Sequence, residues 1–170
     1  LVSTQGKTHR SDIDGLRAVA VLAVIIYHAD LALPGGYVGV DVFFVISGYL
    51  ITGLIARDLD RGSFSMREFW KRRILRIWPA AFAMMFAVLA AAVTLMIPRD
   101  LEETARDAIS QMFMTANITF WKTADYFRPE TEIRPLLHCW SLAVEEQFYI
   151  VMPTMLALVW AFGRRWVWAI

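Results

Sequence analysis

The sequence is poor in what holds a water-soluble domain together. It has one cysteine, Cys139, which excludes an internal disulfide and any multi-cysteine metal site. His138 precedes it, but a single His-Cys pair lacks the other ligands a zinc site needs. No metal is expected, and Cys139 reads as a small buried apolar residue. Charge is scarce: 19% of residues are charged and 58% hydrophobic, where ordinary domains are about a quarter charged. A net charge of +1 gives no ground for a nucleic-acid partner, and none is expected. No internal repeat or low-complexity tract is present. The first apolar run also lacks the small-residue cleavage site of a secretory signal.

What the sequence does have is four long apolar runs, at about 16–33, 37–56, 77–97 and 136–162. Each is near the ~20 residues that cross a bilayer. The expected fold is an all-α, polytopic transmembrane helix bundle of about four spans. Asp12 or Asp14 is placed to cap the first helix, and Pro34-Gly35-Gly36 to end it. Between the second and third runs the stretch Arg57–Arg76 holds Arg57, Arg61, Arg67, Lys71, Arg72, Arg73 and Arg76. A short loop this basic stays cytoplasmic, which puts the N-terminus inside and the Pro34 turn outside. Phe69 and Trp70 mark an amphipathic piece at the interface. Leu101–Trp121 reads as an amphipathic helix outside the membrane, with Ile109, Met112, Phe113 and Phe120 on its apolar side. Gly163-Arg164-Arg165 puts the far end of the fourth span inside, and Trp166–Ile170 starts a fifth. The chain begins at Leu1 and ends inside an apolar run, and is read as part of a longer protein.

Few ionisable residues fall within these runs, and intramembrane ionisable groups are functional-site candidates by default. Arg17 and His28 are eleven residues apart, close to three helical turns. They therefore share one helix face, about 16 Å apart along the axis. Arg17 lies at the inner mouth and His28 about two thirds of the way outward. Asp41 is near the outer end of the second span. His138 and Glu145, seven apart, share a face in the outer half of the fourth. Adjacent Glu145 and Glu146 point about 100° apart, so at most one faces a common site. Two histidines and these carboxylates can form a general acid/base site. Ser47-Gly48 is not a nucleophile elbow, because Val45 stands where that turn needs glycine. Gly39, Ser47, Gly48 and Gly53 read instead as helix-packing positions. Arg73 and Arg76 are either topogenic charges or a dock for a phosphate-bearing cosubstrate.

Four motifs occur in order: DGLRAVAVLAVIIYH, GGYVGVDVFFVISGYLIT, FWKRRILRIWP and PLLHCWSLAVEEQFYIVMP. Together they resemble the membrane acyltransferase 3 family, the O-acetylases of bacterial surface polysaccharide, lipopolysaccharide and peptidoglycan. The resemblance runs from Arg10 to Pro153. It implies an N-terminal part of one membrane domain of about ten helices, in the bacterial inner (cytoplasmic) membrane. It also implies acyl-CoA (acetyl-CoA) as cosubstrate, a carbohydrate acceptor, and in some relatives a C-terminal extracytoplasmic domain. The family's Arg-x10-His motif falls on Arg17 and His28. Its phenylalanine-rich motif falls on Phe43, Phe44, Ser47 and Gly48, and its arginine pair on Arg73 and Arg76. Its fourth-span motif falls on Trp140 to Glu146, then Phe148 and Tyr149. On this reading His28 is the general base on the acceptor hydroxyl, or else an acyl carrier. Arg17 binds CoA phosphate or orients the His28 face, and Glu145 or His138 polarises His28 or the acceptor. Asp41, by its position at the membrane edge and not by the resemblance, either takes a solvated capping role or joins the acid/base group. The competing reading is a transporter or proton relay built on the same buried groups.

Overall fold

The computed structural model describes residues 10–123 and 134–163. They form helices α1 (Ser11–His28), α2 (Gly39–Asp60), α3 (Met66–Leu95), α4 (Pro98–Met112), α5 (Ala116–Thr123) and α6 (Cys139–Phe162), with a 3-10 turn at Gly36–Val38. Among the described residues there is no strand, so the all-α class holds. Three helices, α2, α3 and α6, are long and apolar enough to cross a membrane. α1 has 18 residues and carries Asp12, Asp14 and Arg17 in its first two turns. The Arg164-Arg165 pair and the fifth-span start at Trp166–Ile170 lie outside the described residues. Two compact units divide within α2, between Leu54 and Ile55.

In the first unit, α1 starts earlier and stops earlier than the hydrophobic run suggested. Neither Asp12 nor Asp14 caps it, since the N-cap is Arg10, without a side-chain cap bond. Arg10 instead pairs with Asp12 (Nη2 to Oδ2, 2.7 Å), and that hydrogen bond holds the exposed Asp12 carboxyl down at about 2. At the other end α1 closes at His28, well before Pro34. Asp30 takes a left-handed φ of 53°, and the N–H groups of Asp30 and Leu31 donate back to the carbonyls of Tyr27 and Ile26. This is a Schellman cap with aspartate in the glycine position, which Asp tolerates better than most residues.

The start of α2 then packs antiparallel on α1. Tyr27 stacks edge-on to Tyr37, and Arg17 lies over the Phe43 ring. Between these points the backbones touch. A Cβ on Gly36 would stand 2.3 Å from the Ala23 carbonyl oxygen, and one on Gly39 would stand 2.4 Å from that of Ala20. Gly53, expected to serve the same purpose, has nothing within 4 Å of its would-be Cβ.

In the second unit, Gly62 caps the end of α2 (φ 64°) and Ser65 opens α3. The Ser65 hydroxyl accepts from the Glu68 N–H at 3.4 Å, in a Ser-x-x-Glu capping arrangement. Nothing then breaks the helix, so of the expected basic loop residues 57–60 end α2 and residues 66–76, with Phe69 and Trp70, form the first three turns of one 30-residue helix. The core joins Met85 of α3, Ala108 of α4, Ala116 and Phe120 of α5, and Leu136, Cys139 and Ala143 at the start of α6.

The expected helix over Leu101–Trp121 is two. Met114 takes a left-handed φ of 57°, and its carbonyl accepts from the Gln147 amide at 2.7 Å. The burial of α4 also departs from the expectation. Thr104, Asp107, Ser110 and Gln111 are buried, while Ile109, Met112 and Phe113 are exposed. Polar side chains facing protein and apolar ones facing outward is the pattern of a helix with an apolar exterior. α4 packs with α3, Ala108 and Met85 sharing one buried cluster to which Val88 and Leu89 add.

The buried polar face has one ionic anchor. Arg134 Nη2 and Nε donate to the two oxygens of Asp107 at 2.5 and 2.9 Å, the Asp107 side chain being 0% exposed. Arg134 also lies over the Phe120 ring, 4.9 Å from its centroid. Burial pushes the Asp107 carboxyl up, and the Arg134 hydrogen bonds oppose it.

Two outcomes are expected. Gly39→Ala forces backbone apart, and should destabilise the protein by about 1–3 kcal/mol, read as a lower melting midpoint in detergent. Arg134→Met leaves a buried carboxylate unpaired, at about 3–5 kcal/mol. A carboxyl raised in the folded state makes that state the better proton binder, so stability falls as pH rises from the unfolded carboxylate range through the folded value. The Arg134→Met loss should therefore shrink in acid, and Asp107→Leu in the same chain should recover most of it.

Candidate functional site

Three consecutive residues of α6 point to three different neighbours, as the ~100° step of a helix requires. The first, Glu145, accepts a hydrogen bond from the Tyr149 hydroxyl one turn on. Glu146 is buried at 6% exposure, and its Oε1 has no partner among the described residues. The third, Gln147, exchanges amide hydrogen bonds with Asn117 of α5 at 3.0 and 3.1 Å, besides its bond to Met114. Of the two glutamates, Glu145 thus joins the aromatic and basic cluster and Glu146 the interior.

That cluster is built on Tyr149. Arg73 of α3 lies 5.2 Å from the Tyr149 ring centroid and 5.6 Å from that of Phe69, with both rings buried. Cation–π contacts of this kind are worth up to about 2 kcal/mol when desolvated. Trp70 donates its indole N–H to the Tyr149 carbonyl at 3.2 Å. The reason lies four residues on. Pro153 sits inside α6 and has no N–H to offer that carbonyl, and Trp70 takes its place. Arg76, one turn beyond Arg73, is exposed.

This placement corrects the expected separation of Arg73 from Glu145. The sequence put Arg73 at the inner surface and Glu145 in the outer half of the fourth span. In the structure α3 runs antiparallel to α6, and both residues meet at Tyr149, because α3 is already helical from Met66. His138 is the N-cap of α6, one residue outside the helix, and is exposed.

The first unit holds the other candidates. The guanidinium of Arg17 lies 4.9 Å from the Phe43 ring centroid, so two of the sequence motifs touch. Stacking by its face leaves the in-plane N–H fork of an arginine open to a carboxylate or phosphate. His28 is the last residue of α1 rather than a mid-span residue, and it is exposed. Its Nδ1 lies 2.9 Å from the Val24 carbonyl oxygen. A carbonyl only accepts, so Nδ1 is the donor in this contact, and Nε2 is the ring nitrogen not engaged by it. Tyr27 stands edge-on to the ring at 5.2 Å. Asp41 is exposed in the first turn of α2. Arg17, His28 and Asp41 thus belong to the first unit, and Arg73, Arg76, His138 and Glu145 to the second.

Comparison with known proteins bears on what these groups serve. The family model described as an acyltransferase domain matches residues 10–170. The chain belongs to this acyltransferase 3 family. It is 44% identical over 153 residues to the O-acetyltransferase OatA of Staphylococcus aureus, in strain NCTC 8325 / PS 47 and likewise in strain COL. Each alignment covers 86% of this chain and 24% of the relative, so the chain spans about a quarter of the length of these curated relatives. No solved structure matches.

The sequence did not single out Asn117, Gln147 or the Asp107–Arg134 pair, and it marked Trp70 only as an interfacial aromatic, not as a donor to α6. Only the Trp70–Pro153 relation carried a signal, a mid-helix proline that leaves one carbonyl needing a donor from elsewhere. Trp70→Phe should cost about 1 kcal/mol or more by leaving the Tyr149 carbonyl without a donor. Pro153→Ala restores an N–H within α6, so the Trp70→Phe loss should be smaller in that background. Equal losses in the two backgrounds, measured by thermal melting, would refute the pairing.

Proposed function

We propose that this protein is a membrane O-acyltransferase that moves an acyl group, acetyl in the first instance, from acyl-CoA to a hydroxyl of a cell-surface carbohydrate. The observation that carries the reading is the contact of His28 Nδ1 with the Val24 carbonyl, 2.9 Å. With Nδ1–H committed to the Val24 carbonyl, Nε2 is the nitrogen that takes a proton. His28 acts as general base. Nε2 accepts the acceptor hydroxyl proton, the oxygen attacks the thioester carbonyl carbon, the C–S bond breaks and CoA leaves as thiolate, to be protonated afterwards. Family membership and the relatives named O-acetyltransferase support the reaction class.

The other residues take roles on the same reading. Arg17 holds a phosphate of the donor in the first unit, and Arg73 and Arg76, one turn apart on α3, offer charge to a phosphate in the second. Glu145 or His138 polarises the acceptor, and Asp41 joins His28 in the acid/base set. The basic stretch of Arg57–Arg76 supports a cytoplasmic N-terminus and a multi-pass protein of the bacterial inner membrane, with α1 as a further span. The rest of a larger membrane domain, and in some relatives an extracytoplasmic domain, completes the acceptor site.

His28→Ala in the full-length protein should lower acetyl transfer by about 10²–10⁴-fold, with membrane insertion unchanged. Transfer at the parent rate, scored as acetylated surface carbohydrate at equal protein level, would remove His28 from the mechanism.

A further inference from the structure

A cavity of about 20 Å³ lies between α3, α4 and α6, walled by Trp78, Ala81, Met85 and Met114 and by two polar residues, Gln111 and Glu146. Gln111 and Glu146 are each 6% exposed. Gln111 Oε1 and Glu146 Oε1 are both buried, and neither has a hydrogen-bond partner among the described residues. Two acceptors on one small space are complementary to a donor and not to each other. An amide oxygen and an ionised carboxylate oxygen only accept, and a buried acceptor left without a donor is rare in folded proteins. The other walls are aromatic and aliphatic, and none of them donates a hydrogen bond to either oxygen.

Size and donor count together select the ligand. A cavity needs about 10–15 Å³ of this measure to hold one water, so this one takes one oxygen atom and not two. Both acceptors are satisfied from one heavy atom only if that atom carries two protons. A water does so directly, while an alcohol supplies one O–H and leaves the other oxygen bare. We propose that this cavity is a binding site for a single water molecule that donates one O–H to Gln111 and the other to Glu146. The water ties α4 to α6 beside α3 and sets the direction of the Glu146 carboxylate, leaving Glu145 to the Tyr149 cluster.

The site is independent of acetyl transfer and is tested without it. In the full-length protein, thermal melting of Gln111→Met, Glu146→Met and the double variant forms a cycle. Each single change leaves the water and the other oxygen with one partner, and should lower the midpoint by several degrees. The double change removes the need for water and should lose less than the sum of the two. Glu146→Gln keeps an oxygen that accepts from the water and should lose less than Glu146→Met, which guards against a variant that merely misfolds. A structure of the full-length protein that shows ordered solvent should place one oxygen within hydrogen-bond distance of both side chains. Additive losses in the cycle would overturn the proposal. So would an empty cavity, or a side chain or substrate hydroxyl found donating to either oxygen.

Discussion

The Tyr149 carbonyl is the point on which the second unit turns. Pro153 removes its helical donor, and in an apolar surrounding no water replaces it, so a side chain from another helix must. Trp70 does this, and in doing so sets the register of α3 against α6. Arg73 then falls on the Tyr149 ring, and the Tyr149 hydroxyl reaches Glu145. The same demand recurs along α6. Gln147 serves both Asn117 and the carbonyl of the left-handed Met114, and Asp107 is buried only because Arg134 comes with it. Each polar group inside this bundle is a fixed point because leaving it unmet costs about 1–3 kcal/mol.

The first unit is organised by closeness of backbone instead. Gly36 and Gly39 let the 3-10 turn and the start of α2 lie on the carbonyls of Ala23 and Ala20, and this contact brings the Phe43 ring under Arg17. Without an apolar-solvent gain to drive helix association in lipid, such close packing carries much of the attraction. The aspartate cap at Asp30 ends α1 at His28, placing the imidazole at a helix terminus where its Nδ1 reaches back to Val24. That local geometry engages Nδ1 and leaves Nε2 as the nitrogen turned away from the helix backbone.

Much of the architecture was legible. Run length and charge patterning located α2, α3 and α6, because a membrane-length helix must be apolar over about 20 residues. The helix ends were less so. Asp30 and Met114 stop their helices in a conformation usually left to glycine, and nothing in their types announces it. The four motifs located Arg17, His28, Arg73 and the Glu145-Glu146 pair. They were silent on Gln111 and Asn117, polar residues outside all four motifs, and gave no sign that Trp70, which lies within one, serves a carbonyl far away along the chain.

What the sequence by itself determined is the helical class, the membrane setting and the identity of the residues that carry charge into it, since these follow from composition and period. Glu145 meets Tyr149 through the i, i+4 spacing of α6 alone, whereas tertiary structure decided that Glu146 lines a cavity. It also decided that Arg73 lies beside Glu145, and that the Arg17 motif rests on the phenylalanine motif. A helix assigns directions at 100° intervals, but only the register between helices says what stands in each direction. That register is set by long-range contacts such as Trp70 with the Tyr149 carbonyl, 79 residues apart.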